Sequence, residues 1–145
     1  MDMDQAFAIS ASGMDAQKKR LNVISNNLAN VESTTTSEGG PYRRKDVIFN
    51  SVPIRSSFGE ALTSAGGVPM QGVEVTQVIE DQRPFKKILD PTHPSADAEG
   101  YVLYPNVNPI EEMVNMITAL RSYEANVSAF NATKSMALKT MEIGR

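Results

Sequence analysis

The 145-residue sequence predicts a mainly α fold with a small β unit, in which long N- and C-terminal helices pair as a coiled coil around an extended arm and a short β-rich centre. The first observation is that helix-breaking residues are concentrated in the middle of the chain. Gly13 is the only breaker between residues 4 and 31, and residues 110–143 contain neither Pro nor Gly. The second is the heptad spacing of apolar residues at both ends. Together they divide the chain into residues 1–33, 34–70, 71–107 and 108–145.

The first segment, residues 1–33, predicts the N-terminal helix of the coiled coil. Phe7 and Met14 begin a series at heptad intervals, although Ser10 and Gln17 interrupt the companion series. We therefore expect one apolar seam that is weak in its first half. The expected seam residues are Phe7, Met14, Leu21, Ile24, Leu28 and Val31.

The last segment, residues 108–145, predicts the C-terminal helix. Asn108 supplies a cap, Pro109 has a φ suited to the first helical position, and Glu111 and Glu112 suit the helix dipole. Heptad spacing continues along the segment, with Lys134 as a polar exception. The expected seam residues here are Met113, Met116, Leu120, Tyr123, Val127, Phe130 and Met141.

The middle of the chain predicts an arm followed by a small sheet. In residues 34–70, a basic and apolar stretch over 43–49 is followed by many Ser, Thr and Gly residues, which favours an extended arm. Alternating apolar residues over 73–79, and short apolar runs over 85–89 and 101–104, predict three strands. A sheet of three short strands is marginally stable.

Both predicted helices lack the composition of helices that are stable alone. They contain many Asn and Ser residues, which favour caps and turns, so packing must stabilise them. Apolar residues also lie outside the seam, including Ile9, Val23, Val114, Ile117 and Leu138. We expect these helices to bury a second face against other subunits, and to be largely disordered until subunits assemble.

Composition and charge disfavour most catalytic and nucleic-acid-binding functions. The chain has no Cys, a single His and a net charge of −3. His93 lies near Asp90, Ser95 and Asp97, which leaves a small hydrolase or a metal site as alternatives to a rigid Pro-flanked loop. We favour the loop, and expect no enzyme activity, cofactor, metal, nucleic acid or small-molecule substrate.

The N-terminal motif Ser12-Gly13-Met14, with the run from Arg20 to Asn30, resembles the signature of flagellar rod and hook axial proteins. Further blocks are similar to those of proximal-rod members of the flagellar basal-body rod family. These blocks span residues 39–45, 97–102, 105–109 and 111–117.

This resemblance implies a structural subunit of the proximal rod, the drive shaft of the bacterial flagellar basal body. It implies export in an unfolded state by the flagellar type III apparatus, without a cleaved signal peptide, and assembly in the periplasm. The implied partners are copies of the chain, other rod proteins and the export apparatus, with the membrane ring as a further candidate. The arm that reaches neighbouring subunits would include Gly39, Gly40, Pro41, Tyr42, Arg43 and Arg44.

Another function class stays open at this point. A soluble coiled-coil adaptor or export chaperone would also present amphipathic helices to a partner. Such a protein would hold its helices stably folded when alone, whereas a rod subunit would have protease-sensitive ends and a resistant centre.

Overall fold

A computed structural model describes residues 3–54 and 70–143 of the chain. Two long helices flank four strands in these ranges. In chain order they are α1 (Met3–Ala29), β1 (Lys45–Pro53), β2 (Gln71–Glu80), β3 (Lys86–Leu89), β4 (Tyr101–Tyr104) and α2 (Pro109–Ile143).

The strands form two two-stranded sheets in place of the single small sheet that the sequence predicts. β1 pairs with β2, and β3 pairs antiparallel with β4 so that Ile88 lies opposite Val102. β1 occupies part of the segment expected to be an arm, because the main chain of β2 provides it with a partner that is distant in sequence. Residues 55–69 of the expected arm lie outside the described residues.

The ends of the helices follow local capping chemistry. α2 begins at Pro109 as the sequence predicts: Asn108 Oδ1 accepts the Ile110 N–H at 3.1 Å, and the Asn108 C=O accepts the Glu112 N–H at 3.0 Å. α1 ends at Ala29, earlier than the predicted residue 33, and a turn continues it into the loop. No helix within the described ranges is both long and apolar enough to span a membrane.

The chain divides into two compact units. Unit 1 comprises Met1–Lys19, Phe49–Thr76 and Ala119–Arg145, and unit 2 comprises Arg20–Ile48 and Gln77–Thr118.

Small side chains dominate the buried positions of unit 1. Ala16 and Ala119 are buried together with the polar Ser10 and Thr133, whereas larger side chains are half-buried or exposed. This composition allows close approach of main chains but buries little apolar area.

Two glycines of unit 1 lie where a side chain would collide. A Cβ at Gly13 would lie 2.9 Å from Asn126 Nδ2, and a Cβ at Gly72 would lie 2.8 Å from Ser12 Oγ. The Ser12 hydroxyl donates to the Ile9 C=O at 2.8 Å and accepts the Val73 N–H at 3.2 Å. Ser12 therefore holds β2 against α1.

Unit 2 has a small apolar core and a buried polar cluster. Ile24, Val102 and Val107 are buried, but so are Asn27, Arg44, Asn106 and Glu112. Buried polar groups are tolerated only when they are hydrogen-bonded, so the partners of these four side chains determine how unit 2 is held together.

Candidate assembly interface

Asn27 joins α1 to the first residue of β1. Its Oδ1 accepts the Lys45 N–H at 2.9 Å and the Tyr42 hydroxyl at 3.0 Å. Its Nδ2 donates to the Lys45 C=O at 2.8 Å and to Glu112 Oε2 at 2.9 Å. The amide thus uses both its donors and both its acceptor sites, which allows it to be fully buried.

Asn106 binds the main chain of Arg44, the residue directly before β1. Its Oδ1 accepts the Arg44 N–H at 2.8 Å, while its Nδ2 donates to the C=O groups of Asp81 and Arg83 at 3.1 and 3.0 Å. Two asparagines therefore fix consecutive main-chain positions at the start of β1.

Glu112 completes the cluster with a buried ion pair. Arg44 Nε donates to Glu112 Oε1 at 2.8 Å, and Arg44 Nη1 donates to the half-exposed Asp46 at 3.0 Å. Burial alone would lower the pKa of Arg44, but its hydrogen bonds to Glu112 and Asp46 raise that pKa above the ordinary value. Burial, followed by the charge of Glu112, raises the pKa of Tyr42, so that its hydroxyl stays a donor.

The buried side of α2 differs by one position from part of the seam that the sequence predicts. Met113 and Leu120 are 47% and 43% exposed, and Met141 is 72% exposed. Glu112 and Ala119, one residue earlier, are fully buried. Glu112 can be buried because it is bonded to Arg44 and Asn27. The buried and half-buried positions of α2 include Glu112, Met116, Ala119, Tyr123, Asn126, Phe130, Thr133 and Ala137.

The other expected seam residues are at least half covered. Ile24 is buried, and the ring centroids of Phe7 and Phe130 lie 4.8 Å apart in unit 1. Because Phe7 lies near Phe130 while Gly13 lies near Asn126, α1 and α2 run antiparallel within unit 1. The remaining half-buried seam residues are Met14, Leu21, Leu28, Val31, Met116, Tyr123 and Val127.

Four apolar side chains are exposed together on the first turns of α2, in unit 2. Ile110, Met113, Val114 and Ile117 are 69, 47, 58 and 54% exposed. Their spacing of three and four residues places them on one side of the helix, and we call them the outer apolar patch. A clustered apolar surface of this kind marks an interaction site more often than scattered apolar residues do.

The residues expected to form the arm fall into two groups. Gly39 and Gly40 form an exposed turn with φ values of 88° and 78°, a region in which glycine is favoured. By contrast, Tyr42 and Arg44 belong to the buried cluster, and the Arg43 guanidinium lies 4.4 Å from the centre of the Phe85 ring. Only the turn, which continues into the half-buried Pro41, is presented outward.

The His93 loop consists of turns closed by its own side chains. Asp90 Oδ1 accepts the N–H and the hydroxyl of Thr92, and Asp97 Oδ1 accepts the Tyr101 N–H at 2.8 Å. His93 Nδ1 accepts the main-chain N–H of Ser95 at 3.1 Å. In this geometry the imidazole and the carboxylates hold the loop in shape. Among the residues that the structure describes, no group of three or more His, Cys, Asp or Glu side chains could hold a metal ion.

The sequence did not reveal the roles of Asn27, Asn106 and Glu112. All three fall within or beside the blocks that carry the resemblance, but their types alone suggest caps and helix-dipole charges. Their partners lie far along the chain, as with Arg44 and Glu112, which are separated by 68 residues. Only the fold brings them together.

Comparisons with known proteins match both ends of the chain and nearly its whole length. A family model described as flagella basal body rod protein matches residues 7–35, and one described as flagellar basal body rod FlgEFG protein C-terminal matches residues 98–143. The flagellar basal-body rod protein FlgC of Bacillus subtilis is 46% identical over 142 residues, covering 94% of this chain and 95% of that protein. The proteins of the same name from Salmonella typhimurium and Yersinia enterocolitica are 45% and 42% identical, with 96% and 100% of both chains covered.

Proposed function

The chain belongs to the flagellar basal-body rod protein family, and we propose that it is a structural subunit of the proximal part of the rod. Relatives named as rod proteins match almost the full length of the chain. It accordingly acts by assembling with copies of itself and with other basal-body rod proteins, and it is not an enzyme.

The outer apolar patch is the observation that carries this proposal. In unit 2 the inward side of α2 includes a charged residue, whereas Ile110, Met113, Val114 and Ile117 are exposed. Covering these side chains against another subunit would remove apolar surface from water, which is the main favourable term in protein association. The patch thus provides a driving force for assembly that folding of the single chain leaves unused.

We further propose that α1 and α2 pack as a coiled coil in the inner layer of the assembled rod. In unit 1 the contact of Phe7 with Phe130 and the close approach of Gly13 to Asn126 support antiparallel packing of the helices. In unit 2 the hydrogen bond of Asn27 to Glu112 supports contact between them. The exposed seam residues Met113, Leu120 and Met141 would then meet neighbouring subunits. On this proposal, the inward positions of the helices make contacts within one chain and the outward positions make contacts between subunits.

The part of the arm proposed to reach a neighbour is the turn around Gly39 and Gly40. Its exposure and positive φ values support a compact protruding loop. Tyr42, Arg43 and Arg44 would anchor that loop, since each is bonded to or packed against its own chain.

Export and location complete the proposal. An unfolded subunit would pass through the flagellar type III apparatus without a cleaved signal peptide and join the rod in the periplasm, beside the membrane ring. The small buried residues of unit 1 support late ordering of its helical ends, because they bury little apolar area. Unit 2, with its buried cluster, would be the resistant centre.

An assembly test on the patch examines the proposal directly. Ile117→Asp places a charge where another subunit is expected to cover the helix, while Ile117→Met keeps the position apolar. In a strain that lacks the native gene, Ile117→Asp should abolish motility and basal-body rods, and Ile117→Met should retain both. Normal rods formed from stably produced Ile117→Asp protein would refute the role of the patch.

A further inference from the structure

In unit 2 the inward side of α2 runs against the local hydrophobic pattern. Glu112 is fully buried there, whereas the apolar side chains of Met113 and Ile117 are about half exposed. Successive residues lie about 100° apart around a helix axis. A competing orientation, with α2 turned about its axis, would therefore bury Met113 and expose Glu112.

The buried cluster opposes that rotation. Turning α2 would carry Glu112 away from Arg44 Nε and Asn27 Nδ2, which lie 2.8 and 2.9 Å from its oxygens. Following Glu112 would cost each partner other bonds, because the Arg44 guanidinium is also paired with Asp46 and Asp81 and the Asn27 amide is bonded to both main-chain groups of Lys45. A buried charge separated from its closest partner is more unfavourable than a methionine that stays partly exposed.

We propose that Glu112 is a positioning residue: its bonds to Arg44 and Asn27 select the orientation of α2 that keeps the outer apolar patch available to another subunit. Single buried polar residues choose between helix arrangements in this way in coiled coils. Without Glu112 the chain would stay folded but would draw Met113 inward and present less apolar surface. The consequence for rod assembly rests on the proposed function, whereas the orientation of α2 does not.

Thiol labelling of the purified full chain measures this orientation. The chain has no Cys, so Met113→Cys introduces a single thiol at a position that is 47% exposed. Adding Glu112→Ser should slow its reaction with a maleimide about tenfold, since serine cannot reproduce the bonds to Arg44 and Asn27 and has no apolar side chain to keep buried, so the exposed orientation of position 113 falls to a minor population. Glu111→Ser is the matched control, because Glu111 makes a 3.4 Å pair with the half-exposed Arg83.

A second reporter separates rotation from unfolding. Val107 is fully buried in unit 2, so Val107→Cys should label slowly in every background unless the unit unfolds. Slower labelling at 113 with Glu112→Ser but not with Glu111→Ser, while 107 stays protected, supports the proposal. An unchanged rate at 113 overturns it, and so does faster labelling at both positions, because Glu112 would then only stabilise the fold.

The labelling result is independent of rod assembly. If labelling follows the expectation but Ile117→Asp protein still builds normal rods, the proposed function of the patch fails and the positioning role stands. If Ile117→Asp blocks assembly but labelling at 113 does not respond to Glu112→Ser, the positioning role of Glu112 fails and the proposed function of the patch stands.

Discussion

Replacement of Glu112 by alanine should destabilise the free chain more than replacement of Asp46, the half-exposed residue at the edge of the buried cluster. The substitution removes the acceptors of Arg44 Nε at 2.8 Å and of Asn27 Nδ2 at 2.9 Å. A hydrogen bond that involves a charged group contributes about 1.5–3 kcal/mol, and breaking a buried ion pair costs about 3–5 kcal/mol.

Two features of the structure reduce that cost. Arg44 keeps Asp46 and Asp81, whose carboxylate oxygens lie 3.0 and 3.6 Å from its Nη1. Asn27 Nδ2 keeps the C=O of Lys45 at 2.8 Å. The Nε–H of Arg44 loses its acceptor, but both side chains keep other hydrogen bonds or ion pairs, so we expect Glu112→Ala to lower the free energy of unfolding by about 2–4 kcal/mol.

Urea unfolding followed by tyrosine fluorescence is a suitable assay, because the chain has no Trp and Tyr42 is part of the cluster. Glu112→Gln keeps one acceptor but turns an amide N–H₂ towards other donors, and should cost about 1–2 kcal/mol. Asp46→Ala removes a half-exposed partner and should cost less than about 1 kcal/mol. The reasoning fails if Glu112→Ala costs no more than Asp46→Ala.

Three further predictions concern other parts of the chain. Gly72→Ala should lower the free energy of unfolding by about 1–3 kcal/mol in urea titrations, because its Cβ would press on Ser12 Oγ; an unchanged urea midpoint would contradict this close approach. The Tyr101 N–H bond holds the pKa of Asp97 below its ordinary value, so Asp97 stabilises the fold above its unfolded pKa and that stability is lost as pH falls through the lower folded pKa. Asp97→Asn should therefore flatten the fall in urea midpoint between neutral and acidic pH, and an equally steep fall would argue against it. Leu120→Asp should leave export and the fold of unit 2 intact yet block rod assembly, and intact basal bodies from this variant would count against a buried position in the rod.

Local signals in the sequence predict the start of α2 and the position of β4. Asn108 caps the helix as expected, and Tyr101–Tyr104 is the strand that a short apolar run indicates. Such features depend on neighbouring residues and are readable without the fold. The full length of β1 cannot be predicted in this way, because Asn50 and Ser51 have low strand propensity and form a strand only beside β2.

The orientation of α2 shows why the seam could be predicted only in part. Heptad spacing identifies Met116, Tyr123 and Phe130 on the covered side of the helix, but it ranks Met113 above Glu112. A polar side chain can be buried only when residues distant in sequence form hydrogen bonds with it. Hydrophobic periodicity carries no information about those partners.

The amide of Asn27 grips Lys45 through the N–H and C=O that every residue other than proline also offers. The fold therefore depends little on which side chain occupies the exposed position 45. Substitutions that change the charge or size of the side chain at position 45 should therefore leave the attachment of β1 to α1 intact, whereas proline, which lacks the N–H, should weaken it.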